Sequence, residues 1–159
     1  FAKYESDYPL VIYSSPRGAL WNNVEAKNLL KKNQLDKSDL VFICGRYEGI
    51  DERFISKYVD LEYSIGDYVL SGGELAVAVL LDTMLRFHKN VLGNKESAEQ
   101  DSFEGGLLDS PKYTRPQDFE GISVPEILVS GDHEKIKKFN NEARVRETQT
   151  HRPDLMGEI

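Results

Sequence analysis

The chain has 159 residues, 40% apolar and 10% aromatic, with 20 Lys and Arg against 27 Asp and Glu for a net charge of −7. This is the composition of a folded globular protein, long enough to bury a core without a disulfide or metal staple. The single cysteine, Cys44, excludes an internal disulfide and a Cys-rich zinc site, and the longest apolar run, 75–81, falls far short of the ~20 residues that cross a bilayer.

The first two thirds alternate short β-branched runs with helical patterns, which predicts α/β architecture. Residues 8–13 (YPLVIY) read as a strand entering a turn, Ser14-Ser15-Pro16-Arg17-Gly18. Over 21–33, Val24, Ala26, Leu29 and Leu30 recur at helical spacing. The continuously apolar 39–44 (DLVFIC) reads as a strand buried on both faces, as parallel strands are, with Cys44 as one of its buried residues. It stops at Gly45-Arg46-Tyr47-Glu48-Gly49, and 48–58 reads as a charged helix. Between the glycine turns of 63–73 (YSIGDYVLSGG) a short strand is expected at Tyr68-Val69-Leu70. The next stretch, 74–87, is apolar nearly all round, which predicts a helix buried on several sides and set in a subunit interface.

Residues 90–106 lose periodicity and gain Gly, Ser and acid, the composition of a linker. A loop-like stretch with Pro111, Pro116 and Pro125 follows, then a short strand at 126–129 and a basic helix over 133–146 opened by Ser130-Gly131-Asp132. Between 135 and 152 there are six Lys or Arg against two Glu. That excess reads either as a solvated helix face or as a patch that grips phosphates.

Three glycine-bearing turns, at 14–18, 45–49 and 64–73, each follow an apolar run. In an α/β sheet the loops past the carboxyl ends of the strands gather on one edge, where ligands bind. None of the three carries a dinucleotide fingerprint or a Gly-Lys-Ser/Thr phosphate loop. They suit a flat, neutral ligand approached by backbone atoms.

The segments GRYEGIDER (45–53) and SIGDYVLSGGEL (64–75) together closely resemble the bacterial tRNA (guanine-N1)-methyltransferase family. The likeness continues through Asp101-Ser102-Phe103, Gly106-Leu107-Leu108-Asp109, Pro111, Tyr113-Thr114-Arg115-Pro116, Val124-Pro125-Glu126 and Ser130-Gly131, from about 13 to 155. It implies a SPOUT-type trefoil-knotted parallel sheet domain over 1–92, with the N-terminal part of the family domain missing. A flexible linker over 93–105 and a small, mostly helical, truncated tRNA-binding domain over 106–159 would follow. It further implies S-adenosylmethionine as methyl donor, a cytoplasmic homodimer with the active site between subunits, Mg2+, and an anticodon stem-loop as partner. The reaction implied is methylation of N1 of the guanine immediately 3′ of the anticodon.

Carried over residue by residue, the resemblance assigns cofactor binding to Ser15, Pro16 and Gly18, to Gly45, Tyr47 and Glu48, and to Ser64, Ile65, Gly66, Tyr68, Leu70, Gly72 and Gly73. It assigns the general base to Asp101 and a supporting arginine to Arg86. Glu48 stands open as a helix-start carboxylate or a contact to cofactor, guanine or metal, and Asp109 as a turn residue or a second acid near the metal. Lys135, Lys137, Lys138, Arg144, Arg146 and Arg152 are the candidate RNA contacts.

The chemistry fits these residue types. Guanine N1 is a poor nucleophile until its proton leaves, and a carboxylate within hydrogen-bonding reach can take that proton. Negative charge then grows on O6, where an arginine or a metal would stabilise it. Two other readings remain open at this level: a knotted methyltransferase acting on ribose or another base, and a non-catalytic RNA-binding module.

Overall fold

The computed structural model describes residues 9–33, 39–88, 91 and 101–157. The chain divides into two compact units, 1–93 and 94–159. The first is α/β, in the order β1 (Leu10–Leu20), α1 (Asn23–Asn33), β2 (Leu40–Ile43), α2 (Glu52–Tyr58), β3 (Leu61–Ser64) and α3 (Glu74–Leu85). Its three described strands lie parallel in the order β2-β1-β3.

Side-chain caps start α1 and α2. The Asn22 side chain accepts the amides of Val24 and Glu25 at 2.9 and 3.0 Å, and Asp51 accepts the amide of Arg53 at 2.8 Å. These bonds satisfy donors that the first turn of a helix leaves orphaned. The core gathers Ile12 of β1, Trp21, Ala26 and Leu29 beside and within α1, Tyr63 of β3, and Leu80 and Met84 of α3. Each large side chain removed from water contributes about 1.5–3 kcal/mol. Trp21 and Tyr63 meet edge to face, ring centroids 4.7 Å apart.

Several sequence expectations change here. The strand after α2 is Leu61–Ser64, not 68–70. Its alternation is masked in the sequence because Glu62 looks polar, yet that carboxylate is matched by Arg17 and Ser15 while Tyr63 enters the core. Residues 68–70 curl instead, with the Tyr68 amide donating to Gly66 O at 2.9 Å and its hydroxyl to Ile65 O at 3.2 Å. Strand β2 is at the edge of the described sheet, so Val41 remains 36% exposed, and Cys44 is exposed just past its end. Helix α2 begins at Glu52 rather than 48, where Asp51 supplies the cap. Helix α3 buries Ala76, Val77, Leu80 and Met84 but leaves Leu75 68% exposed, with Val79 and Leu85 also open.

The second unit, in its described part, starts with a 3-10 turn at Glu104–Gly106. A two-stranded hairpin follows, β4 (Asp118–Phe119) and β5 (Ile122–Ser123), then α4 (Glu126–Val129), α5 (His133–His151) and a closing 3-10 turn, Pro153–Met156. Residues 126–129, expected as a strand, are helical. Pro125 presets the entry, and the Leu128 amide donates to its carbonyl at 2.9 Å. A four-residue apolar run carries no periodicity to separate the two states. Asp132 caps α5 by accepting the Lys135 amide, and the helix continues one turn beyond the expected end at 146.

Candidate functional site

Strand β1 is interrupted where chemistry is expected. Ser14 and Ala19 both pair with Tyr63, so Ser15–Gly18 bud out of the sheet and return opposite the same residue. The Ser15 hydroxyl donates to Glu62 Oε2 at 2.8 Å, and Arg17 bridges Glu62 and Glu52 at 3.1 and 2.8 Å. Burial alone would raise the Glu62 carboxyl, but Arg17 and Ser15 hold it below the usual carboxylate range.

The second segment, Gly45–Gly49, is tied to the third. Gly73 N–H donates to Gly45 O at 2.9 Å, Arg46 bridges to Gly72, and the Arg46 guanidinium reaches Glu74 Oε1 at 2.7 Å. A Cβ on Gly73 would stand 2.9 Å from both Cys44 Cα and Gly45 N, so only glycine permits this approach. The third segment turns at Gly66, braced by the Ser64 hydroxyl between Gly66 N and O at 3.3 and 3.2 Å.

The three segments face a single cleft of about 220 Å³. All the residues assigned to the cofactor line it except one: Ser15, Pro16, Gly45, Tyr47, Glu48, Ser64, Ile65, Gly66, Tyr68, Leu70, Gly72 and Gly73. The exception, Gly18, lies behind the bud, where a Cβ would stand 2.5 Å from Glu62 C and Tyr63 N. A side chain there would hold the two strands apart.

Arg46 and Glu48 are the charged residues of the lining, and Arg46 is already paired with Glu74, whose carboxyl is held below its usual range by its own backbone amide and by Arg46. A wall of backbone groups, hydroxyls, tyrosines and aliphatics with so little free cationic charge does not suit a polyphosphate. It suits a flat, hydrogen-bonding heterocycle.

The residues the sequence reading did not single out include Tyr13, Ser14, Tyr63, Val69 and Ser71. Ser14 matters most: its Oγ is buried and has no hydrogen-bond partner. The signal was present in the doubled serine of SSPRG, but which of the two hydroxyls Glu62 takes is a matter of tertiary structure.

Arg86 forms the C-terminal cap of α3, exposed, its amide donating to Asp82 O at 3.1 Å. Asp101 belongs to the second unit, half-buried, its carbonyl accepting the Glu104 amide at 3.2 Å. Asp109 accepts Ser110 N at 2.6 Å and Lys112 Nζ at 2.8 Å; burial would raise its carboxyl, but these partners hold it below the usual range. Among the described residues no group of three His, Cys, Asp or Glu side chains converges as a metal site.

Of the expected RNA contacts, Lys137 and Lys138 are exposed on α5, and Lys135 is exposed but pairs with Asp132 at 2.9 Å. Arg146 lies 6.0 Å from the Phe139 ring, and Arg152 forks onto Asp154 at 2.9 and 2.8 Å while lying over Phe103. Arg144 differs: it is half-buried and bonds to backbone carbonyls. No helix among the described residues is long and apolar enough to cross a membrane.

The family model for tRNA (guanine-1)-methyltransferase TrmD matches residues 2–158. A tRNA (guanine-N(1)-)-methyltransferase of Chlamydia pneumoniae is 52% identical over 145 residues, covering 91% of this chain and 39% of that protein. Proteins of the same name from Protochlamydia amoebophila and Dechloromonas aromatica are each 50% identical over 146 residues. These cover 92% of this chain and 64% and 56% of theirs. The chain thus spans about half the length of the curated relatives it matches. With its motifs converging on one cleft and the match running nearly end to end, the chain belongs to the tRNA (guanine-1)-methyltransferase TrmD family.

Proposed function

We propose that the cleft binds S-adenosylmethionine and that the protein transfers its methyl group to N1 of the guanine immediately 3′ of the anticodon. N1-methylguanine and S-adenosylhomocysteine are the products. The observation carrying this reading is the near-neutral cleft built from three separated backbone segments in a chain of this family. The residues present fit the donor. Ser14 Oγ is buried without a partner, which costs about 1–3 kcal/mol until a ligand supplies one. The lining also offers several tyrosine rings.

The donor supplies an electrophilic methyl on a sulfonium, so the protein's task is positioning and proton removal. The Asp101 carboxylate takes the N1 proton of guanine, and Arg86 stabilises the charge that grows on O6. N1 then forms its bond to the methyl carbon as the carbon–sulfur bond breaks, leaving a neutral thioether. The stabilisation at O6 is what makes the proton transfer effective.

Magnesium belongs to the same proposal only through the family resemblance. Asp109 is engaged by Lys112 and Ser110, and the described residues form no metal cluster, so no step is routed through a metal. The trefoil knot is likewise proposed, supported by the parallel order β2-β1-β3 and by Gly73 seated against Cys44 and Gly45. A homodimer with the site between subunits is supported by the exposed Leu75 and Val79 on α3, and a cytoplasmic location belongs to the proposal only through the family resemblance. In this reading 1–92 holds the donor, 93–105 connects, and 106–159 holds the tRNA.

The test is methyl transfer from S-adenosylmethionine to a tRNA carrying guanine at that position, with the modified atom mapped by mass spectrometry. Asp101→Asn lowers turnover about 10²–10⁴-fold with donor affinity unchanged in calorimetry. Full turnover in that variant removes Asp101 as the base; methylation of ribose or another base atom overturns the assignment.

A further inference from the structure

Arg144 stands in a basic run and reads as a phosphate contact, but its guanidinium is turned inward. From α5, Nε donates to Leu108 O at 3.2 Å and Nη2 to Glu104 O at 3.1 Å. One helical turn on, Thr148 is fully buried; its Oγ1 accepts the Leu108 amide at 2.9 Å and donates to Arg144 O at 2.7 Å. Residues at this spacing share a helix face. Both backbone polar groups of Leu108 are therefore held by α5.

The segment they hold is closed on itself. Phe103 N–H donates to Leu107 O at 2.7 Å, Glu104 N–H to Asp101 O at 3.2 Å, and Asp109 N–H to the Ser102 hydroxyl at 2.9 Å. Phe103 sits at φ 73°, a left-handed conformation that a bulky residue keeps only where its surroundings over-determine it. Asp101 opens this closed loop.

We propose that Arg144 is a positioning residue: its fork onto the Glu104 and Leu108 carbonyls, with Thr148 beside it, fixes the shape of the 101–109 loop and so the direction in which Asp101 is presented. The inference rests on the reading of Asp101 as the base. Lysine cannot reproduce it, because an ammonium lacks the planar fork that spans two carbonyls, although it still attracts a phosphate as a point charge.

Arg144→Lys therefore separates the two roles. The expected result is a fall in kcat of about 10- to 100-fold, the scale of a small misplacement of a catalytic group. KM for tRNA and the dissociation constant of S-adenosylhomocysteine stay within twofold, and the Phe103 and Leu108 amides exchange hydrogen faster. Wild-type kcat with unchanged exchange overturns the proposal. So does a raised KM for tRNA with a shallower salt dependence in Arg144→Ala and kcat intact, which is the signature of a phosphate contact. If the unsubstituted protein transfers no methyl group, the parent reading fails; unchanged exchange in Arg144→Lys then still overturns the clamp.

Discussion

The hydroxyl of Ser15 is engaged by Glu62, whereas that of Ser14 is buried in the cleft wall with nothing to bond. Substituting each to alanine tests this contrast. Ser14→Ala weakens S-adenosylhomocysteine binding about 5- to 20-fold, the value of one hydrogen bond in a desolvated site, while the unliganded protein melts higher because the orphaned hydroxyl is gone. Ser15→Ala leaves affinity within twofold and lowers stability. It also changes the acid limb of the stability curve. The depressed Glu62 carboxyl contributes stability that is present above its unfolded pKa of about 4.3 and is lost as pH falls through its lower folded value. Removing the Ser15 bond makes that loss smaller. Calorimetry and thermal melts at pH 3 to 7 measure both effects.

Among the elements, the bud in β1 depends on what lies behind it. Gly18 lets the returning chain lie against the backbone of Glu62 and Tyr63, and an added methyl has no flexible neighbour to displace. Gly18→Ala costs about 3 kcal/mol by overpacking and lowers the melting temperature by roughly 6–12 °C. Donor affinity falls with it, because β1 and β3 are forced apart at the mouth of the cleft. An unchanged melt shows that the bud is not seated as described. Helix α5 shows a similar division of labour along its length, exposing Lys137 and Lys138 while Arg144 and Thr148 face the 101–109 loop.

At the scale of the whole molecule, a net charge of −7 disfavours binding nucleic acid by bulk attraction, so in the proposed function affinity for tRNA has to come from a local patch. Replacing Lys135, Lys137 and Lys138 by alanine weakens tRNA binding and flattens the slope of log affinity against log salt by about 0.7–0.9 for each phosphate no longer neutralised. Donor affinity stays unchanged. An unaltered slope returns these lysines to the role of a solvated face.

The sequence by itself determined the α/β class, the glycine turns and the family, because these depend on local periodicity, on backbone freedom at glycine, and on long ordered motifs. Only tertiary structure decided that β3 is 61–64, that 126–129 is helical, and that Cys44 is exposed. A polar Glu62 hides a strand until Arg17 and Ser15 arrive to pair with it, and a short apolar run takes whichever form its neighbours permit. The same cause divides the two serines and turns Arg144 inward. Which partner a polar group finds is settled by residues distant in the chain, and no local pattern records it.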